Sequence, residues 1–115
     1  MTHGRRGDVW EADLGPIGGG EQAGARPVVV AQTDDLQTLA TTVVIPLTSS
    51  LRQAGFPTTV KLEPGEGGLG KTSVALCHQL RVLDRRKLIR QLGTLPPAKL
   101  SEIEAAVAFV LGLPS

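Results

Sequence analysis

Residues 27–31 read Pro-Val-Val-Val-Ala, and this stretch decides the fold class. A short β-branched run bounded by turn-type residues is typical of a strand that is buried on both faces. A second run, Thr-Thr-Val-Val-Ile-Pro-Leu, covers residues 41–47, with Pro46 near its end, where a missing N–H is tolerated. The two runs predict two buried strands in a β-rich domain.

Further strands are predicted on both sides of these runs. Residues 8–14 form the first candidate, and residues 58–63 alternate apolar and polar side chains as a half-exposed strand does. Residues 73–83 predict one continuous strand, because every second residue is assigned to the same face. The members of that face are Val74, Leu76, His78, Leu80 and Val82. Glycine-rich stretches at 15–20 and 64–70 predict loops.

The pattern changes to helical spacing after residue 83. Asp84 is placed to cap a short helix that contains Leu88 and Leu92 and stops at Gly93. Two prolines then open a longer helix whose apolar residues are spaced by three and four. That stripe consists of Leu100, Ile103, Val107, Val110 and Leu111. Strands first and helices last predict an α+β fold, mainly β, with a small curled, barrel-like antiparallel sheet.

Composition predicts one domain over residues 1–115, since 41% of the 115 residues are hydrophobic and 20% are charged. A net charge of +1 argues weakly for nucleic acid but allows a focused basic site. The residues available for it are Arg5, Arg6, Arg26, Arg52, Arg81, Arg85, Arg86, Lys87 and Arg90. The lone Cys77 excludes an internal disulfide or a cysteine metal cluster. Without an apolar span or signal peptide, we expect a cytoplasmic protein.

Residues 65–72, Gly-Glu-Gly-Gly-Leu-Gly-Lys-Thr, match the nucleotide-binding pattern G-x-x-x-x-G-K-[ST]. That pattern indicates phosphate binding only between a buried strand and a helix. Here the preceding segment is half polar and the following segment alternates at period two. The residues therefore predict a flexible hairpin loop rather than a nucleotide site.

Four blocks of sequence resemble the MazF/PemK toxins, a family with the Kid and CcdB fold. In chain order they are Gly7-Asp-Val-Trp-Glu-Ala-Asp-Leu14, Gly20-Glu-Gln-Ala-Gly-Ala-Arg-Pro-Val-Val-Val30, Ile45-Pro-Leu-Thr-Ser49 and Gln79-Leu-Arg-Val-Leu-Asp84. The resemblance implies a small SH3-like antiparallel barrel with a C-terminal helix, and a homodimer. It implies a type II toxin that cleaves single-stranded RNA at short motifs without metal or cofactor. It also implies a cognate MazE-like antitoxin whose disordered tail covers the RNA groove.

The resemblance assigns catalysis to Arg26 and Thr48. RNA cleaves itself when its 2′-OH attacks the adjacent phosphate, so the enzyme has to stabilise charge on phosphorus and donate a proton to the leaving 5′-oxygen. The forked guanidinium of Arg26 suits a charged phosphorane, and Thr48 offers a hydroxyl at a strand end. The alternatives are a solvated loop charge for Arg26 and a backbone-turn partner for Thr48.

RNA binding is assigned to further polar positions. These are Gly20, Glu21, Gln22, Ser49, Gln79 and Arg81. Glu21 and Gln22 either hydrogen-bond RNA or shape the first loop, and Gln79 either contacts a base edge or pairs with strand backbone. Arg81 and Asp84 have a structural ion pair or a cap as the alternative.

Two positions depart from the family pattern. Gly20 replaces a serine, which removes a hydroxyl, and His78 stands where relatives often have an acidic residue. We expect His78 to be either buried and hydrogen-bonded or an acid/base group active near neutral pH. Two other functions compete with RNA cleavage: a non-catalytic toxin that poisons a protein target such as gyrase, and a barrel that only binds RNA or a partner.

Overall fold

The structure, a computed structural model, describes residues 4–15 and 24–114. In this part of the chain seven strands precede one α-helix, and single 3₁₀ turns join several of the strands. The elements are β1 (Asp8–Asp13), β2 (Ala25–Val30), β3 (Thr41–Thr48), β4 (Thr59–Leu62), β5 (Ser73–Leu76), β6 (Arg81–Asp84), β7 (Leu88–Thr94) and α1 (Pro97–Leu111). The predicted α+β, mainly β class is confirmed.

The strands form one sheet in the order β4-β5-β3-β2-β1-β7, and all pairings are antiparallel. The long strand β3 is shared, because β6 pairs with its first half and β5 with its last two residues. The end strands β4 and β7 do not pair with each other, so the sheet is not closed. The SH3-like antiparallel architecture is therefore confirmed, with an open sheet in place of a complete barrel.

Side-chain alternation lets the same strands fill two cores. Val9 and Val29 lie in the first core with Ile103 of α1, and Trp10 and Val28 lie in the second. Residues 28–30 are completely buried, as predicted for a strand covered on both faces. The two cores explain why the central strands carry consecutive apolar residues instead of a strict alternation.

The prediction of one continuous strand over residues 73–83 is wrong. β5 ends at Leu76, the segment Cys77–Gln79 forms a 3₁₀ turn, and β6 begins at Arg81. The turn reverses the alternation, so that Val82 is 63% exposed and Leu83 is buried. A period-two pattern does not reveal such a turn, because apolar residues continue on both sides of it. The break allows one segment to pair with both halves of β3.

The predicted short helix after residue 83 is wrong beyond its first turn. The Asp84 carboxylate accepts a hydrogen bond from the Arg86 N–H at 2.8 Å and caps the 3₁₀ turn Arg85–Lys87. The chain then continues as β7, whose backbone pairs with β1. Two irregularities in that ladder disturb the alternation of side chains. Leu88 therefore lies in the second core and Leu92 packs against the first, although their spacing of four residues also fits one face of a helix.

The predicted C-terminal helix is confirmed as α1, with Pro97 as its first residue. Gly112, at φ 68°, ends it in the left-handed conformation. Ile103 is buried as expected, whereas Leu111 is 52% exposed and extends the stripe beyond the core. In residues 4–15 and 24–114, no helix has both the length and the apolar character to cross a membrane.

The glycine-rich segment at 65–72 connects the antiparallel strands β4 and β5, so the prediction of a hairpin loop is confirmed. Two glycines in this loop are closely packed. A Cβ on Gly68 would lie 1.9 Å from the Leu92 carbonyl oxygen, and a Cβ on Gly67 would lie 2.5 Å from a Val9 methyl carbon. Both glycines have positive φ. Close packing against β1 and β7 explains these residues without a bound phosphate.

Arg85 is a buried charge with a structural role. Its side chain is 8% exposed and donates to the carbonyl oxygens of Leu39 at 2.7 Å, Gly4 at 3.3 Å and Leu36 at 3.4 Å. The guanidinium thereby joins the start of the described chain to the connection between β2 and β3. Arg85 is therefore not available for a basic site on the surface.

Candidate active site

A cleft of ≈ 1140 Å³ opens where β2 begins and β3 ends. Its walls come from these two strand ends, the turn after β3, the β4–β5 loop and the outer part of β7. The lining residues are Ala25, Arg26, Pro27, Leu47, Thr48, Ser49, Ser50, Arg52, Gly68, Leu69, Gly70, Lys71, Ser73, Arg90 and Leu92. Three of the predicted site residues, Arg26, Thr48 and Ser49, are therefore in one cleft.

Strand register brings Arg26 to Thr48. Val28 of β2 lies opposite Pro46 of β3, and continuing this antiparallel register by two residues places Arg26 level with Thr48. The Arg26 guanidinium also donates from Nη2 to the Leu47 carbonyl oxygen at 3.4 Å. The two predicted catalytic side chains thus converge at the same end of the sheet, each on a strand whose neighbours fix it.

The Thr48 hydroxyl already serves the turn that follows β3. Its Oγ1 accepts a hydrogen bond from the Ser50 N–H at 3.1 Å, which is the structural alternative considered for this residue. A hydroxyl that accepts in this way still has its own proton to donate. The half-buried Thr48 can therefore hold the turn and donate to a phosphate oxygen at the same time.

The cleft is strongly cationic. Four of its lining residues carry a positive charge, Arg26, Arg52, Lys71 and Arg90, and no lining residue among those described is acidic. Arg90 is exposed and forms an ion pair with the half-buried Glu11, with Nε 3.7 Å from Oε1. Such a concentration of positive charge between low-dielectric walls attracts a polyanion. The chain's net charge of +1 does not reveal it.

Lys71 was not among the residues predicted for a basic site, and Arg52 and Arg90 were predicted only as members of a larger set. Lys71 was visible only as part of the nucleotide-binding pattern, and rejecting that pattern also removed the lysine from consideration. Arg52 and Arg90 were two of many basic residues. The folded chain brings these three side chains to one cleft, Lys71 from the β4–β5 loop, Arg90 from β7 and Arg52 from the turn after β3.

The remaining predicted site residues lie elsewhere. His78, Gln79 and Arg81 are exposed and do not line the cleft. The expectation of a buried His78 is wrong, because the 3₁₀ turn at Cys77–Gln79 rotates it out of the core. Gly20, Glu21 and Gln22 lie outside the residues that the structure describes.

Two groups with shifted pKa values are also outside the cleft. The side-chain hydrogen bond from Arg86, at 2.8 Å between Nη2 and Oδ2, lowers the pKa of Asp84 to about 2. Asp84 therefore pairs with Arg86 rather than with Arg81. Burial raises the pKa of the Cys77 thiol to about 11, which keeps it neutral. Within residues 4–15 and 24–114, no cluster of three or more His, Cys, Asp or Glu side chains is placed to hold a metal ion.

The sequence is similar to that of known proteins. The family described as PemK-like, MazF-like toxin of type II toxin-antitoxin system matches residues 5–111. Endoribonuclease MazF of Staphylococcus epidermidis is 41% identical over 110 residues, which cover 95% of this chain and 92% of the relative.

Solved structures agree with the sequence match. An endoribonuclease in complex with its cognate antitoxin, from a Mycobacterial species, has a TM-score of 0.80 at 28% identity, covering 96% of this chain and 97% of that one. MazF from Deinococcus radiodurans has a TM-score of 0.78 at 28% identity, covering 98% and 99%. This chain belongs to the PemK-like, MazF-like toxins of type II toxin–antitoxin systems.

Proposed function

We propose that this protein is an endoribonuclease toxin that cleaves single-stranded RNA at short sequence motifs, without a metal ion. The observation that carries the proposal is the meeting of Arg26 and Thr48 in a cationic cleft. Membership of the family and the 41% identical endoribonuclease support the same reaction. Cleavage of messenger RNA stops translation, which accounts for a toxic effect on growth.

The chemistry follows from the RNA itself. The 2′-OH loses its proton and its oxygen forms a bond to phosphorus, while the bond from phosphorus to the 5′-oxygen breaks and the 5′-oxygen gains a proton. The products are a 2′,3′-cyclic phosphate and a 5′-OH, with no net change in protons. In the proposed arrangement Arg26 and Thr48 donate hydrogen bonds to the phosphate oxygens, where negative charge accumulates in the transition state. A guanidinium has five N–H donors and no acceptor, so Arg26 acts as a donor and not as the base that takes the 2′-OH proton.

The role of acid or base for His78 has no support from its position, because its exposed side chain does not line the cleft. Gln79 and Arg81 are proposed only as outer contacts for longer RNA, since they too lie beyond the cleft lining. Ser49, which lines the cleft beside Thr48, is the better placed of the predicted binding residues. Glu21 and Gln22 are also proposed to contact RNA.

The partners proposed for this chain follow from its relatives. The Mycobacterial endoribonuclease was solved in complex with its cognate antitoxin, and we propose a MazE-like antitoxin here as well. A cytoplasmic homodimer is proposed from the resemblance of the sequence blocks to the MazF/PemK family. Exposed apolar side chains near the end of α1 provide surface for such associations, namely Phe109, Leu111 and Leu113. Poisoning of gyrase is not favoured, because the relatives named above are MazF proteins and endoribonucleases.

Incubation of the purified protein with single-stranded RNA in EDTA tests the function. We expect cleavage to cyclic-phosphate ends, and a rate lower by about 10²- to 10³-fold for Arg26→Ala. Arg86→Ala is the matched control, because Arg86 is exposed and pairs with Asp84 outside the cleft. Intact RNA together with growth arrest in cells would point to a protein target instead.

A further inference from the structure

Lys71 is held in place by residues on both sides of it. Leu69 is buried in the first core and Ser73 is buried in β5, while Gly70 and Lys71 are exposed between them. The Ser73 hydroxyl donates to the Lys71 carbonyl oxygen at 3.1 Å. Gly68 is fixed against the backbone of β7. The backbone of Lys71 is therefore positioned by packing, although its side chain is free to extend into the cleft.

The pairing of Thr48 with Val74 sets the distance between Lys71 and the catalytic residues. Along the chain, Lys71 lies three residues before Val74, and Arg52 lies four residues after Thr48. Because the strands are antiparallel, both cations lie at the same end of the sheet. Both line the cleft that contains Arg26 and Thr48.

Lys71 differs from the other lysines in its electrostatic surroundings. The carboxylates of Glu63, Asp13 and Glu102 lie near Lys61, Lys87 and Lys99 respectively, with N–O distances of 3.9, 3.7 and 3.6 Å. None of the ion pairs among the described residues includes Lys71. Its charge is thus directed at a cleft without acidic lining, where an anionic ligand is the partner that would neutralise it.

We propose that Lys71, with Arg52 beside it, binds a phosphate of the RNA next to the one that is cleaved. This inference rests on the proposed function for the identity of the ligand. The cleft volume of ≈ 1140 Å³ exceeds that of most small-molecule pockets, so it has room for more than one nucleotide. Lysine is a mobile point charge, which suits a contact that adds affinity without fixing the reacting atoms.

The experiment compares Lys71→Gln with Lys61→Gln and Lys71→Arg. Lys61 is the matched control, because it is exposed on β4 and does not line the cleft. Affinity is measured by fluorescence anisotropy with a labelled single-stranded RNA of randomised sequence, fully 2′-O-methylated so that it cannot be cut. The measurement is repeated between about 50 and 200 mM salt, since each phosphate contact on a single strand adds about 0.7 to the salt slope. KM and kcat are then measured on unmodified RNA.

We expect Lys71→Gln to bind roughly threefold to tenfold more weakly and to lower the salt slope by about 0.7. Lys71→Arg and Lys61→Gln should retain the wild-type slope, and the loss in cleavage should fall on KM. An unchanged affinity and slope for Lys71→Gln would overturn the proposal. So would a loss confined to kcat, which would place Lys71 at the scissile phosphate. If the wild type binds RNA in this way but cuts none, the proposed function fails while the Lys71 contact stands.

Discussion

Thr48 combines two hydrogen-bonding tasks on one oxygen, and substitutions can separate them. Thr48→Ser keeps the hydroxyl that accepts from Ser50 N–H, whereas Thr48→Val keeps the shape and removes the oxygen. We expect Thr48→Ser to cleave RNA within a few-fold of the wild type and Thr48→Val to be slower by about 10²-fold. Single-turnover cleavage measures both rates. A Val variant as fast as the Ser variant would leave Thr48 with only its role in the turn.

The ion pair of Asp84 and Arg86 gives a prediction with a defined sign. The folded state lowers the pKa of Asp84 from 3.8 to about 2, mainly through the hydrogen bond from Arg86. Its contribution to stability is therefore present in full above pH 3.8 and is lost as the pH falls towards 2. Asp84→Asn keeps a capping oxygen for the 3₁₀ turn but removes the charge.

Thermal unfolding of the wild type and Asp84→Asn across this pH range checks the prediction. We expect a small difference in melting temperature near neutral pH, because the pair is exposed, and convergence of the two proteins as the pH falls below about 4. A difference that stays constant down to the lowest pH would show that the charge of Asp84 does not contribute.

At the scale of elements, the contact between the β4–β5 loop and β7 depends on glycine. Gly68→Ala would place a methyl group 1.9 Å from the Leu92 carbonyl oxygen at a φ of 75°. We expect a loss of about 2–4 kcal/mol in the free energy of unfolding, measured by calorimetry. Gly70→Ala is the control, because nothing lies within 4 Å of the added carbon and its effect should stay within about 1 kcal/mol. Equal effects at both positions would refute the proposed contact.

The elements that could be predicted are those whose pattern of apolar residues follows directly from burial within the element itself. The four strands before the β4–β5 loop and the helix α1 follow from burial and from proline at the helix start, and their bounds agree within one or two residues. Two predictions were wrong for a common reason: the continuous strand over residues 73–83, and the short helix where the structure has β7. In each, the side-chain pattern depends on a partner strand distant in sequence, either β3 or the irregular edge of β1.

At the scale of the whole molecule, Arg85 holds together three segments that are far apart in sequence. Removing its side chain leaves the carbonyl oxygens of Gly4, Leu36 and Leu39 without this donor. We expect Arg85→Met to lower the free energy of unfolding by about 2–4 kcal/mol. Amide exchange should speed up most in residues 33–40.

The neighbouring Arg86→Met is the control for this prediction, because Arg86 is exposed and bonds only to Asp84 in the described structure. Its effect on unfolding should be within about 1 kcal/mol. Similar losses for the two variants would show that the carbonyl contacts of Arg85 do not stabilise the fold. Loss of RNA cleavage in Arg85→Met at unchanged stability would instead contradict its structural role.

The site itself was predictable in part. Arg26 and Thr48 could be named because they lie in sequence blocks that resemble the family, and strand register then explains their convergence. The other three cations of the cleft could not be named, since a net charge of +1 does not indicate where packing brings charged side chains together. They are Arg52, Lys71 and Arg90. His78 shows the reverse error, because its position in a regular alternation suggested burial and a local turn exposed it.

Trp10 gives the molecule an intrinsic spectroscopic probe. It is the one tryptophan of a chain without tyrosine, and it lies 9% exposed in the second core. Helix α1 packs on the first core instead, through Ile103 and Ala106. Fluorescence therefore follows one core, while the helical circular dichroism signal follows an element attached to the other. Coincident unfolding curves would mean that both cores melt as one cooperative unit, and separated curves would give the order in which they come apart.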